Sequence, residues 1–222
     1  MENSDAAGEH RVPPDGCLDI LYDRAGLRAI GTMTAEQRFR FPEGVCAVGV
    51  RFRPGMAGAL IGTPADQLTN GAASLLDLWA GRARELQQRL DEAQSTQEAM
   101  RLLLASLPVP DAPNAVQRAI ESIASANGNV DLDRVASEAN LSPRQFRRRC
   151  LEESGLSPKR LSRVLRFRHA CRLAAVVEKP NWCHVAHAAE YCDQAHLIRD
   201  FHSFTGRTPV SVFSNTRTPA AG

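Results

Sequence analysis

The chain has 222 residues, 43% of them hydrophobic and 23% charged, with a formal net charge of +2. That is enough chain for one large domain or two small ones, each burying a core, and the composition is that of an ordinary globular protein. There is no run of about twenty apolar residues to span a membrane, and the six cysteines form no CxxC pair, which sets aside a membrane protein and a paired-cysteine module. With no signal peptide, the sequence predicts a cytoplasmic protein with free thiols. Residues 1–107 hold 11 arginines against 14 acids, and residues 108–222 hold 16 basic residues against 11 acids. The second half is therefore the nucleic-acid candidate.

Residues 1–11 are polar and read as a disordered tail. From Val12, strand-like runs at Leu18 to Tyr22, Arg28 to Thr32, Arg38 to Phe41 and Val45 to Arg53 are punctuated by Pro13, Pro14, Asp15, Gly16, Asp23, Gly26, Pro42 and Gly44. They predict four short antiparallel strands. Val48, Val50 and Phe52 alternate with Gly49, Arg51 and Arg53, so one face of that strand is expected to be buried. After Pro54 the period becomes helical, with short helices at Met56 to Ile61, Ala65 to Leu68 and Leu75 to Trp79, and one or two longer ones over Arg82 to Leu107. The stripe of Leu86, Leu90, Met100, Leu103, Leu104 and Leu107 suits either a core face or a dimer seam. Three prolines between Pro108 and Pro113 mark a linker.

From Asn114 the pattern is helical throughout. A helix over Ala115 to Ser125 is followed by Leu132 to Ala139, which turns Leu132, Val135, Ala136 and Ala139 inward. Asn140 tolerates a left-handed turn, and Ser142, Pro143 and Gln145 spell a capping box with proline at the first helical position. The next helix buries Phe146 and Cys150 and leaves Arg144, Arg147, Arg148 and Leu151 outside, a helix-turn-helix spelling whose guanidinium groups suit guanine edges or phosphates. A long helix, Pro158 to Val177, carries Arg160, Arg163, Arg166 and Arg168 among Leu161, Leu165, Ala170 and Leu173. At 1.5 Å per residue it is about 30 Å long, comparable with the roughly 34 Å between successive major-groove faces. A second unit follows, with Trp182 to Ala189, a turn at Glu190-Tyr191-Cys192, and a helix over Asp193 to Phe204 anchored by Leu197, Phe201 and Phe204. Val135-Ala136 matches Val185-Ala186, Leu141-Ser142 matches Tyr191-Cys192, and Phe146 approximately matches Leu197, an internal duplication.

Residues 115–215 resemble the DNA-binding domain of the AraC/XylS family of bacterial transcription regulators. The resemblance rests on VASEANLSPRQFRRRC, on GLSPKRL with RFRHACRL, and on VAHAAEYCDQAHLIRDFHSFTGRTPVSVF. It implies recognition helices at Pro143 to Ser154 and Asp193 to Thr205. By position, the DNA-facing residues would be Arg144, Arg147 and Arg148 in the first and Gln194, Ala195, His196, Ile198 and Arg199 in the second. Arg160, Arg163 and Arg166 of the linking helix would contact the DNA backbone. The chain departs from the family pattern at Asn140 and Glu190, where glycine is usual, and at Cys192, where a serine cap is usual, which predicts a weaker or differently held second unit. The front half, through VPPDGCLDILYD, VGVRFRPGMAGALIGTPADQLTN and LLDLWAGRARELQQRL, is similar to the amino-terminal effector or dimerisation module of one subgroup, without its opening part.

Other chemistries fit less well. Cys183 with His187 and Cys192 with His196 have i, i+4 spacing, but on different helices, so no metal site is expected. Cys17 lies beside Asp15, Asp19 and Asp23, which raise a thiol pKa, and Cys46 reads as core. The glycines of PGMAGALIG lack the Lys-Ser or Lys-Thr ending of a phosphate loop, and no catalytic triad can be picked out, so neither an enzyme nor a cofactor is expected.

The predicted fold class is α+β. A small antiparallel β-barrel-like domain with helices occupies 12–107, a linker 108–113, an all-α double helix-turn-helix domain 114–215, and a tail 216–222. The predicted function is sequence-specific transcription regulation on double-stranded promoter DNA. RNA polymerase, a small-molecule effector of unknown site and a second copy remain open as further partners. The alternative is a small-molecule-sensing or sequestering protein whose helical half contacts a protein.

Overall fold

In the computed structural model, which describes residues 8–23, 25–41, 47–109 and 112–214, the strands among those residues are β1 (Gly8–Val12), β2 (Leu18–Asp23), β3 (Gly26–Ile30), β4 (Gln37–Phe41), β5 (Val48–Phe52) and β6 (Ala72–Ser74). Leu18 and Ile20 of β2 are buried and their neighbours Asp19 and Leu21 are less so, the period of a strand covered on one face. β2 pairs antiparallel with β3 and β5, and β6 extends the sheet beyond β3 in the order β5-β2-β3-β6. On β5, Val48 and Phe52 face the core, whereas Arg51 lies opposite Asp19 and donates to its carboxylate from Nε and Nη2, each at 2.8 Å.

Two expectations are corrected here. Residues 8–11 are not part of a tail, because β1 runs antiparallel to β4 from Gly8 opposite Phe41 to Val12 opposite Gln37. The sheets do not close into a barrel, since among the described residues no ladder joins β1–β4 to the four-stranded sheet. Closure needs continuous pairing around the ring, and here helices pack on β5 and β6 instead. Residues 1–7, the turn at Pro42 and Gly44, the start of the strand expected from Val45, Cys46, two residues of the linker and the tail 216–222 lie outside the described residues.

The helices are α1 (Gly58–Ile61), α2 (Leu75–Trp79), α3 (Gly81–Asp91), α4 (Thr96–Ser106), α5 (Ala115–Ser125), α6 (Leu132–Glu138), α7 (Pro143–Ser154), α8 (Pro158–Ala175), α9 (Trp182–Ala188), α10 (Gln194–Thr205) and α11 (Pro209–Ser214), with a 3-10 turn at Ala65–Leu68. The stretch expected as one or two helices over Arg82 to Leu107 divides at Ser95. The Ser95 hydroxyl accepts from the Glu98 amide at 3.1 Å, and the Glu98 carboxylate accepts from the Gln94 amide at 3.0 Å, so a new helix is capped there. Leu86, Leu90 and Leu103 are buried, whereas Leu104 is 52% exposed. The stripe is thus mainly a core face.

Two apolar clusters organise the chain. Leu18, Ile20, Leu27, Val48, Phe52, Ile61 and Leu75 pack with Leu86, Leu90 and Leu103 in the first. Ile120, Ile123, Val135, Phe146, Leu161, Phe167, Val185, Leu197, Phe201 and Phe204 pack in the second. Helix α8 runs through the second cluster, with Leu161, Val164, Phe167 and Ala170 fully enclosed. The Phe167 ring lies 4.9 Å from that of Phe201 and 5.0 Å from that of Phe204. It therefore supports α10 directly.

Candidate nucleic-acid interface

The first unit is built as its residues specify. The Asp131 carboxylate caps α6 by accepting from the Asp133 and Arg134 amides. Asn140 takes the left-handed conformation (φ 55°), and the Leu141 amide donates to the Ala136 carbonyl at 3.0 Å. The Ser142 hydroxyl then accepts from the Gln145 amide and the Gln145 side chain accepts from the Ser142 amide, completing the capping box that starts α7. Phe146, Cys150 and Ser154 point inward. Arg144, Arg147, Arg148 and Arg149 are all exposed, and at 100° per residue Arg144 and Arg148 lie nearest the middle of the outer face. Arg148 is held 2.7 Å from Glu152, an exposed pair one turn apart.

The second unit repeats this geometry with a one-residue shift. Asn181 caps α9 as Asp131 caps α6, the Tyr191 amide donates to the Ala186 carbonyl at 2.9 Å, and Glu190 is left-handed (φ 58°), so the offset up to this point is 50. The cap of α10 is Asp193, whose carboxylate accepts from the His196 amide. From there the offset is 51. Phe146 matches Leu197, Cys150 matches Phe201, and the left-handed C-caps Gly155 (φ 73°) and Gly206 (φ 68°) coincide. This corrects the pairing of Ser142 with Cys192. The missing serine cap is replaced by an aspartate one residue later, and aspartate is an equally good N-cap.

Outside α10, Ala195 and Arg199 are exposed, while Gln194, His196 and Ile198 are half-buried. Gln194 Oε1 accepts from the Cys183 thiol at 2.9 Å, and the His196 ring sits edge-on to Tyr191 with centroids 5.1 Å apart. With the shift applied, Arg199 occupies the place of Arg148 and Ala195 that of Arg144. The outer face of α10 thus centres on one arginine where that of α7 carries two.

The linking-helix arginines have partners within the protein. Arg163 donates to Asp200 Oδ1 from Nη2 at 2.6 Å and from Nε at 3.1 Å. Arg166 donates to the Gly128 carbonyl at 3.1 Å and lies over the Tyr191 ring. Arg160 donates to the Thr34 carbonyl, with its guanidinium 4.9 Å from the Phe204 centroid. All three are half-buried, and each donates to a group of the protein itself. Burial, with Arg163 nearby, lowers the Arg160 pKa from its ordinary value.

The sequence reading missed Asp200 and Tyr191. Asp200 is 1% exposed and accepts from Arg163 and from the Tyr191 hydroxyl at 3.2 Å. Burial, followed by the Asp200 charge, raises the Tyr191 phenol above its usual range. A signal was present, because the spacing of Leu197, Phe201 and Phe204 puts Asp200 at the border of the inner face. It also missed Arg149, the third exposed arginine of the run. Among the described residues no cluster of three or more His, Cys, Asp or Glu could hold a metal ion, and no helix is long and apolar enough to cross a membrane.

Residues 135–215 match the family described as a helix-turn-helix domain, of the AraC type. Over these residues the chain carries a helix-turn-helix domain of the AraC type. Residues 1–74, ahead of this AraC-type domain, match a family described as a domain of unknown function, DUF6597. No curated protein matches the chain. Among solved structures, it is similar to a DNA-binding transcriptional dual regulator from Escherichia coli K-12, at 24% identity over 49% of this chain and 97% of that one, with a TM-score of 0.40. It is also similar to ToxT from Vibrio cholerae O395, at 11% identity over 96% of this chain and 98% of the other, with a TM-score of 0.47. Unsaturated fatty acid bound wild-type ToxT from Vibrio cholerae strain SCE256 gives 10% identity, 96% of each chain and a TM-score of 0.45. The AraC-type domain makes the chain a DNA-binding transcription regulator in class.

Proposed function

We propose that the protein regulates transcription by laying α7 and α10 into successive major grooves of one promoter site, with base selection concentrated in α7. The observation that carries this reading is the repeated unit itself. Cap, turn, inner anchor and C-cap recur in the same order, offset by 50 through the turn and by 51 beyond it, and both outer faces carry an arginine at the centre. Arg148 and Arg144 are assigned to base edges, where a guanidinium can fork onto guanine. Arg147 and Arg149, on the flanks of α7, are assigned to phosphates together with Arg199. Ala195, Ile198, His196 and Gln194 line the second helix, whose part is mainly positioning.

The amino-terminal half is assigned regulation, through dimerisation or a small effector. An open groove of about 390 Å³ beside Tyr22, Val48, Leu90, Asp91 and Ala99 is its candidate entry. RNA polymerase is the expected partner of the DNA-bound form, and the cytoplasm the expected compartment. The test is selection from a library of short duplexes, followed by titration of the winning and scrambled sites at several salt concentrations. A motif spanning two grooves, a steep salt slope and a specificity ratio of about 10³ or more are expected. Equal affinity for scrambled DNA would overturn the proposal.

A further inference from the structure

The β3–β4 connection, residues 31–36, touches the C-terminal ends of both recognition helices. The Thr32 hydroxyl, on a side chain that is 1% exposed, donates to the Ser154 carbonyl at 2.8 Å at the end of α7. Four residues later, the Glu36 amide donates to the Phe204 carbonyl at 2.6 Å at the end of α10. The Glu36 carboxylate, 8% exposed, accepts from Arg207 at 2.6 Å just beyond that helix, and from Arg11 of β1 at 3.4 Å. Between these points the Thr34 carbonyl accepts from Arg160 of α8.

The connection is itself held rigidly. Asn70, in the left-handed conformation (φ 60°), donates from its amide to the Thr32 carbonyl at 3.0 Å, and its side-chain oxygen accepts from the Thr34 amide at 2.7 Å. The Gly31 amide donates to the Gly71 carbonyl at 2.9 Å, and a Cβ on Gly31 would fall 1.7 Å from the Leu68 carbonyl oxygen. A second contact, from the Thr69 hydroxyl to the Gly155 carbonyl at 2.9 Å, secures the end of α7 from the same side. The last carbonyls of a helix have no partner within the helix. Here one such carbonyl of α7 and one of α10 are taken by a single braced segment of the other half of the protein.

We propose that residues 31–36 are a positioning strap that fixes the separation of the two recognition helices, with Thr32 and Glu36 as its two attachment points. The inference rests on the DNA-reading function proposed above. The amino-terminal half would then help to specify the spacing of the two half-sites, because a change in the strap moves one helix end relative to the other. Thr32 and Glu36 act through α7 and α10 and touch no base.

The experiment compares the full-length protein with Thr32→Val/Glu36→Ala, and with the size-conserving Glu36→Gln in case the double variant folds poorly. Each is titrated against duplexes whose two half-sites are separated by the selected spacing or by one or two base pairs more or fewer, with thermal unfolding measured alongside. One base pair turns the second site by about a tenth of a helical turn, so the wild type is expected to lose tenfold or more in affinity per base pair of mis-spacing. The double variant should lose threefold or less, with single half-site affinities within twofold of wild type, and Glu36→Gln should fall between. A double variant, or a Glu36→Gln protein, as sensitive to spacing as the wild type would overturn the strap while leaving the DNA reading intact. A wild type that selects no duplex would overturn both, and that failure is visible without any variant.

Discussion

Arg163 and Asp200 form the closest charge pair in the helical half that is shielded from water on one side, with Nη2 2.6 Å from Oδ1, the arginine side chain 32% exposed and the aspartate 1%. The pair joins α8 to α10, and Tyr191 completes the carboxylate's partners. Removing the arginine leaves a buried carboxylate uncompensated, which costs about 3–5 kcal/mol where pairs are fully buried. Partial exposure of the guanidinium reduces this toward about 2 kcal/mol. Arg163→Ala is therefore expected to lower the unfolding midpoint markedly in a thermal or urea titration, and to weaken DNA binding only to the extent that the fold is lost. A fully stable variant with uniformly weakened binding would instead return Arg163 to the DNA surface.

Arg148 is expected to read a base. Its pairing with Glu152 is exposed, 63% and 41% for the two side chains, and exchanging an exposed ion pair for a guanine costs little. Arg148→Ala should relax preference at one base position by about 1–3 kcal/mol, measured as the ratio of affinities for the selected site and its single-base variants. Equal losses on every sequence would remove Arg148 from the base-reading role. Glu152→Gln should raise affinity without changing the preferred sequence.

The second turn yields a paired test. Asp193→Ala removes the α10 cap and should cost about 1 kcal/mol, whereas Cys192→Ala, at the residue inserted into the turn, should change stability by less than about 0.5 kcal/mol. Glu190→Gly relieves a left-handed glutamate and should stabilise by up to about 1 kcal/mol, offset in part by the greater chain entropy of glycine. Denaturant titrations of the three variants would decide this, and a larger loss for Cys192→Ala than for Asp193→Ala would restore the unshifted alignment.

Thiol reactivity follows burial. Among the described cysteines, Cys183 and Cys192 are exposed. Burial pushes the thiols of Cys17, Cys150 and Cys171 up to about 12. Thiolate is the reactive form, so alkylation of the folded protein at pH 8 should label Cys183 and Cys192 and spare the other three, as read by mass spectrometry. Early labelling of Cys150 would mean that α7 opens from the core in solution.

The local chemistry of this chain was legible because it repeats short rules. Ser142, Pro143 and Gln145 spell a helix start, and Phe146 and Cys150 fall on its inner face, as the structure has them. The alternation around Val48 and Phe52 likewise marked a strand with one covered face. What eluded sequence reading depends on distant partners. Nothing near Gly8 signals that β4 will pair with it. Nothing in the spacing of Arg160, Arg163 and Arg166 tells whether a cationic helix faces phosphate or a buried aspartate, because Asp200 and Gly128 lie more than thirty residues away in sequence. The shift at Cys192 was hidden by a plausible ungapped match, and only the cap hydrogen bond resolved it.

That inserted residue governs any attempt to transplant specificity between the two units. Aligned without a gap, Arg199 falls against Arg149 and Asp200 against Cys150, so a graft would put an acid into the core of one helix and a thiol where the other needs its carboxylate. Aligned with the gap, Arg199 falls against Arg148, Phe201 against Cys150 and Leu197 against Phe146. Only the second numbering aligns the inner anchors, and because it sets Arg149 against Asp200, a chimera built to carry the outer face of α7 on α10 has to keep Asp200 as the partner of Arg163.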